Sequence, residues 1–183
     1  MSRGRKRPRR LVVNASVAMA AGGQDATAAE SVACRDALFA IAQSKLVLVF
    51  TEALKDEWQA HQSTFSRKWL HDMVGRRRAV EINPAPSGAV RKAMEKHLPV
   101  NERPEFEKDL HLLDAALGTD QRIVSLDERL RRRLARLMTF FRKLESFHFA
   151  NPLWESCLNW LRGNAPNEGK FQLRRSDAHA AGP

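Results

Sequence analysis

The chain has 183 residues, 43% of them hydrophobic and 28% charged, a composition that suits one globular domain and excludes wholesale disorder. Its apolar runs, Leu46 to Phe50 among them, are far too short to cross a bilayer, so no membrane partner is expected. The formal charge is +10, and six of the basic residues, with no acid among them, fall in residues 1–10.

That segment (MSRGRKRPRR) reads as a disordered basic arm. It either binds an anionic partner through phosphate contacts and counterion release or serves only solubility. The stretch from Leu11 to Ala21 has no clear cleavage pattern and reads as the start of a strand, not as a secretion signal. Cys34 and Cys157 belong to no CxxC or Cys/His cluster, which suits ordinary thiols in a reducing cytoplasm.

Leu11-Val12-Val13 is a short apolar run that stops at Asn14. Gly22-Gly23 breaks the chain, and a helix is expected after it with Val32, Cys34, Leu38 and Ile41 on its apolar stripe. Lys45–Phe50 (KLVLVF) has the uninterrupted apolar character of a strand buried on both faces. Thr51 then caps a helix with Leu54, Trp58, Phe65, Trp69 and Met73 on one face, ending near Gly75. Trp58, Phe65 and Trp69 read as core in preference to base-stacking platforms. A short strand over Val80–Asn83 and a helix from Gly88 to Leu98 follow.

Pro104 to Gly118 has the clearest punctuation in the chain: proline and acids at its start, Phe106, Leu110, Leu113 and Leu117 at helical spacing, and glycine as the stop. Arg122–Leu126 (RIVSL) reads as a buried strand ending at Asp127. An arginine-rich helix runs from Glu128 to Met138, then a strand over Ser146–Ala150 and a helix around Trp154–Leu161. Strands alternating with helices imply an α/β sandwich around a mostly parallel sheet. Sites in such sheets lie at the carboxyl ends of the strands, which draws attention to Asn14, to Thr51–Glu57 and to Asp127.

Glu57, Asp109 and Asp127 follow or precede different strands, so three carboxylates converge if those strands are neighbours. Such a group repels itself unless a hard divalent cation such as Mg²⁺ or Mn²⁺ is shared among oxygen ligands. With phosphate as substrate, that cation activates water and neutralises charge. The alternative for each residue alone is a helix-end charge at Asp109, a surface carboxylate at Glu57 and an N-cap at Asp127.

Four segments in order resemble the PIN-domain ribonucleases: LVVNASVAMAAG (residues 11–22), VFTEALKDEW (Val49–Trp58), KDLHLLDAALGTDQRIVSLDERL (Lys108–Leu130) and FHFANP (Phe147–Pro152). The resemblance implies a PIN-like α/β/α domain over residues 11–163, with residues 164–183 as a disordered tail. It also implies an Mg²⁺- or Mn²⁺-dependent endoribonuclease, with RNA as substrate. Asn14, Glu57, Asp109 and Asp127 fall at its metal-binding positions, and Glu57, Asp109 and Asp127 at its catalytic ones. Ser125 holds the hydroxyl position of its S/T-x-D signature, and Asp114 is a supporting candidate. The family includes VapC-type toxins, which brings an antitoxin protein and a homodimer into view as partners. Where the family has an aspartate this chain has Asn14. That leaves an active enzyme with a weaker site, a non-catalytic RNA-binding relative, or an inactivating substitution as alternatives. Arg129, Arg131, Arg132 and Arg133 either receive the RNA backbone beside that site or form a solvated helix face.

Overall fold

A computed structural model describes residues 7–179. β1 (Arg10–Val13), β2 (Val47–Phe50), β3 (Ala79–Glu81), β4 (Arg122–Val124) and β5 (His148–Ala150) form one sheet in the order β3-β2-β1-β4-β5. Every neighbouring pair is parallel, with Leu11 beside Leu48 and Val12 beside Ile123. Parallel neighbours need long crossovers, and helices supply them. α1 (Ala15–Ala20) and α2 (Ala29–Gln43) lead to β2, and α3 (Glu52–His61) and α4 (Thr64–Gly75) lead to β3. α5 (Gly88–His97), α6 (Arg103–Lys108) and α7 (Leu110–Leu117) return the chain to β4, α8 (Glu128–Met138) links β4 to β5, and α9 (Cys157–Arg162) follows.

α2 packs on α1, α4 and α9, whereas α5 packs on α8, so the helices fall into separate groups around the sheet. The architecture is mixed α/β and compatible with an α/β/α sandwich. The strands are buried as their composition requires: Leu11, Val12, Val13, Leu48, Ile123 and Val124 are almost wholly excluded from solvent. Trp58 and Trp69 are core residues, and each indole N–H donates to a backbone carbonyl, Val13 and Leu38 respectively. Burial pushes the Cys34 and Cys157 thiols up to about 12, so both stay protonated.

Several expectations are corrected. The helix expected from Thr51 to Gly75 is two, because Ser63 caps a new one by accepting the Ser66 N–H and sends its own N–H to Ala18. The helix expected from Pro104 to Gly118 breaks at Asp109, where the backbone (φ −92°, ψ −3°) makes a tight turn and its N–H reaches back only to Phe106. That turn leaves the spacing of Phe106, Leu110 and Leu113 intact, so the apolar pattern runs through it unaltered. α1, capped by Asn14, has no counterpart among the expected elements, and Val32 is 37% exposed, off the apolar stripe of α2.

The disordered tail is corrected over residues 164–179. Phe171 and Leu173 are buried, the Phe171 carbonyl accepts the Phe149 N–H, and Leu173 donates to Phe147, so this segment runs along the otherwise open β5 edge. Asp177 closes it onto α8 through Arg131 at 2.9 Å. At the other end, Arg10 already belongs to β1, and Arg9 donates to the Asn164 carbonyl. The rest of the expected basic arm, residues 1–6, and residues 180–183 lie outside the described residues.

Candidate functional site

Between β1 and β4 the strand order reverses, because β1 connects to one side of the sheet and β4 to the other. Crossovers diverge at such a point and leave a crevice beyond the strand ends. β1 runs out into Asn14 and β4 into Ser125, and the Asn14 N–H extends the ladder to the Val124 carbonyl at 2.9 Å. The Asn14 side chain is 8% exposed and uses both ends of its amide. Oδ1 accepts the Ser16 N–H and so caps α1, while Nδ2 donates to Ser125 Oγ at 3.1 Å. Ser125 is fully buried and accepts a second bond from the Asp127 N–H at 3.0 Å. Asp127 in turn caps α8, its Oδ1 accepting the N–H groups of Arg129 and Leu130.

Asp109 faces this group from the α6–α7 turn. Among the described residues its carboxylate accepts no hydrogen bond, and it is partly buried. Burial, reinforced by the charge of Asp127 and less strongly by that of Glu57, pushes its pKa from 3.8 up to about 7, against the opposing pull of His111 and Arg133. Glu57 comes from α3. Its neighbour Trp58 is anchored in the core to the Val13 carbonyl, which fixes the helix against the end of β1. The Glu57 carboxylate meets His111 Nε2 at 3.2 Å. Three segments far apart in sequence thus share one electrostatic environment.

The carboxylate and amide oxygens near this turn are donor types that a hard divalent cation takes, whereas the imidazole of His111 is not. The repulsion held in Asp109 is what a cation would relieve. The spacing is looser than the chemistry: among the described residues, no group of three or more His, Cys, Asp or Glu side chains is gathered closely enough to hold a metal ion.

Asp114 is not part of this group. It is 6% exposed, paired with Arg91 at 2.9 Å, and accepts the Ser87 N–H at the start of α5. With His111 it lines a cavity of about 590 Å³ at the ends of β2 and β3, bounded also by Glu52, Glu81 and Asn83. The arginine run of α8 does not present one face. Arg129 is exposed and Arg132 partly so. Arg131 is tied to Glu128 and Asp177 and lies over the Trp154 ring, and Arg133 is 8% exposed beside Glu102 at 3.5 Å. His111 is the site residue that sequence reasoning passed over; its signal was its place two residues after Asp109. Arg133, expected at the RNA backbone, is instead buried beside Glu102 and acts on the charge of Asp109.

No protein-family model, no curated protein and no solved structure matches this chain.

Proposed function

We propose that this chain is a metal-dependent endoribonuclease with a PIN-like fold, built on Glu57, Asp109 and Asp127. The reading rests on the four ordered segments that resemble that family and, above all, on one observation. Asp109 is an unbonded, partly buried carboxylate above the β1–β4 crevice whose ionisation is suppressed to about pH 7, first by burial and then by the charges of Asp127 and Glu57. A fold gains no stability from such a residue, and groups of this kind concentrate at functional sites.

Asp109, Asp127 and Glu57, once drawn closer together than they stand in this structure, would hold Mg²⁺ or Mn²⁺ through carboxylate oxygens, with Asn14 Oδ1 as a neutral oxygen donor. When bound, the cation supplies charge neutralisation at a phosphodiester and lowers the pKa of water. The residues of the chain do the rest. Ser125 fixes the Asn14 amide and the start of α8, so that Asp127 is aimed by a bonded framework. His111 holds the Glu57 carboxylate and Arg133 offsets part of the charge on Asp109. Arg129, exposed beside Asp127, is the cation best placed to meet an RNA backbone.

The second reading, an RNA-binding module with a vestigial acidic site, draws on Asn14, whose amide is committed at both ends to structural bonds. An antitoxin partner and a homodimer follow only from the family resemblance. Cleavage of single-stranded RNA that needs Mn²⁺ or Mg²⁺ and stops with chelator supports the enzyme. RNA binding that is indifferent to chelator, without cleavage, supports the module.

A further inference from the structure

Arg122 opens β4 at the opposite end of the sheet from the carboxylates, and its side chain is 5% exposed. A guanidinium is almost never buried without an anionic partner. Here the partners are neutral: Nε donates to the Ala165 carbonyl, Nη1 to the Asp120 carbonyl and Nη2 to Asn167 Oδ1. Among the described residues no carboxylate forms an ion pair with it. Asp120 is the acid nearest in effect, and its Oδ2 is occupied by the Arg10 N–H. Arg9 adds a second positive charge from the neighbouring strand end.

This guanidinium borders a polar cavity of about 240 Å³ lined by Asp120, Gln121, Ser146, His148, Asn167 and Gln172. His148 is 6% exposed, and its Nδ1 lies 3.1 Å from the Ser146 carbonyl. A carbonyl only accepts, so Nδ1 carries the proton. Burial and the charges of Arg122 and Arg9 hold the ring below its ordinary pKa of 6.5, in the neutral form. Nε2 is then a lone pair. Nη1 and Nη2 of Arg122 each keep one further N–H. The cavity therefore offers charged donors on one side and an acceptor on the other.

We propose that this cavity is a binding site for a phosphate group, with Arg122 donating to its oxygens and the P–OH of its protonated form donating to His148 Nε2. The acceptor sets the selectivity. Sulfate has the same shape but no proton to give at neutral pH, so it leaves His148 unsatisfied. One missing bond of this kind weakens binding by roughly tenfold. The phosphate can be free inorganic phosphate or the 5′-terminal phosphate of an oligonucleotide, and the site does not depend on the nuclease reading.

The test is a titration of the full chain with inorganic phosphate, sodium sulfate and a 5′-phosphorylated dinucleotide at matched ionic strength. It follows the thermal midpoint and the His148 imidazole resonances. The expected result is a saturable midpoint rise and a His148 shift with phosphate, roughly tenfold weaker with sulfate, and lost in His148→Gln. A response to the dinucleotide as well assigns the site to a phosphate terminus, and a response to phosphate alone assigns it to the free ion. Equal effects of phosphate and sulfate, no saturable effect, or an unchanged response in a folded His148→Gln would overturn the proposal and leave Arg122 as a clamp for the 164–167 loop. Should that variant not fold, the contrast between phosphate and sulfate on the unaltered chain decides alone.

Discussion

Asn14 donates its side-chain N–H to Ser125 Oγ across the seam of β1 and β4, 3.1 Å away, and Ser125 receives the Asp127 N–H on the same oxygen. Two residues 111 apart in sequence are thereby locked where the sheet order reverses. Among the described residues the Ser125 hydroxyl proton has no acceptor. In Asn14→Asp it can turn to the new carboxylate while its oxygen still accepts from Asp127. The substitution is therefore expected to fold with a stability change within about 1 kcal/mol. Ser125→Ala removes the acceptor of two N–H groups and is expected to cost about 2 kcal/mol. Urea denaturation of the two variants measures both.

Asp109 ties stability to pH. Its folded pKa is raised from 3.8 to about 7, so the folded chain holds this proton more tightly than the unfolded one. The corresponding stability is fully present below about pH 4 and is lost as pH rises through 7. Asp109→Asn is expected to flatten this slope and to raise stability at pH 8 by roughly 1–3 kcal/mol. Mn²⁺ should raise the thermal midpoint of the unaltered chain more at pH 8 than at pH 5, and should lose that effect in Asp109→Asn. A slope unchanged in the variant would show that Asp109 titrates normally.

Asp127 has two separable roles. Its Oδ1 caps α8, and its charge acts on Asp109. Asp127→Ser keeps the cap and removes the charge, whereas Asp127→Ala removes both. The alanine variant is expected to lose about 1 kcal/mol relative to serine. Both should lower the Asp109 pKa, read from the pH dependence of stability, and both should lose metal-dependent cleavage.

Asp114 is expected to matter for folding alone. Asp114→Asn breaks its bond to Arg91 and leaves a half-buried cation without its carboxylate. The expected cost is about 2 kcal/mol, with cleavage per folded molecule unchanged. A selective loss of cleavage would place Asp114 in the site after all.

Local sequence carried the strands and most helices because each has its own pattern: KLVLVF reads as a buried strand wherever it is placed. Breaks were harder to see. Gln62-Ser63 and Asp109 interrupt helices without interrupting apolar spacing, since a tight turn keeps Leu110 and Leu113 in phase with Phe106. The final segment looked polar because Phe171 and Leu173 are isolated among Gly, Lys, Gln and Arg. Their burial depends on the β5 edge, which no local pattern announces. In the site, strand ends pointed to Asn14, Glu57 and Asp127, but the fates of Arg131 and Arg133 in α8 were set by acids elsewhere. Glu102 takes Arg133 and Asp177 takes Arg131, and both partners are distant in sequence.

A nuclease site on Glu57, Asp109 and Asp127 that Asn14 attenuates shows itself when single-stranded RNAs of mixed sequence are incubated with the unaltered chain, Asn14→Asp and Asp109→Asn, each with Mn²⁺. The expected result is that Asn14→Asp cuts faster than the unaltered chain, and that Asp109→Asn does not cut although it folds and binds RNA. If all three variants bind RNA and none cuts, or if Asp109→Asn cuts as well as the others, the acidic group is not a nuclease site.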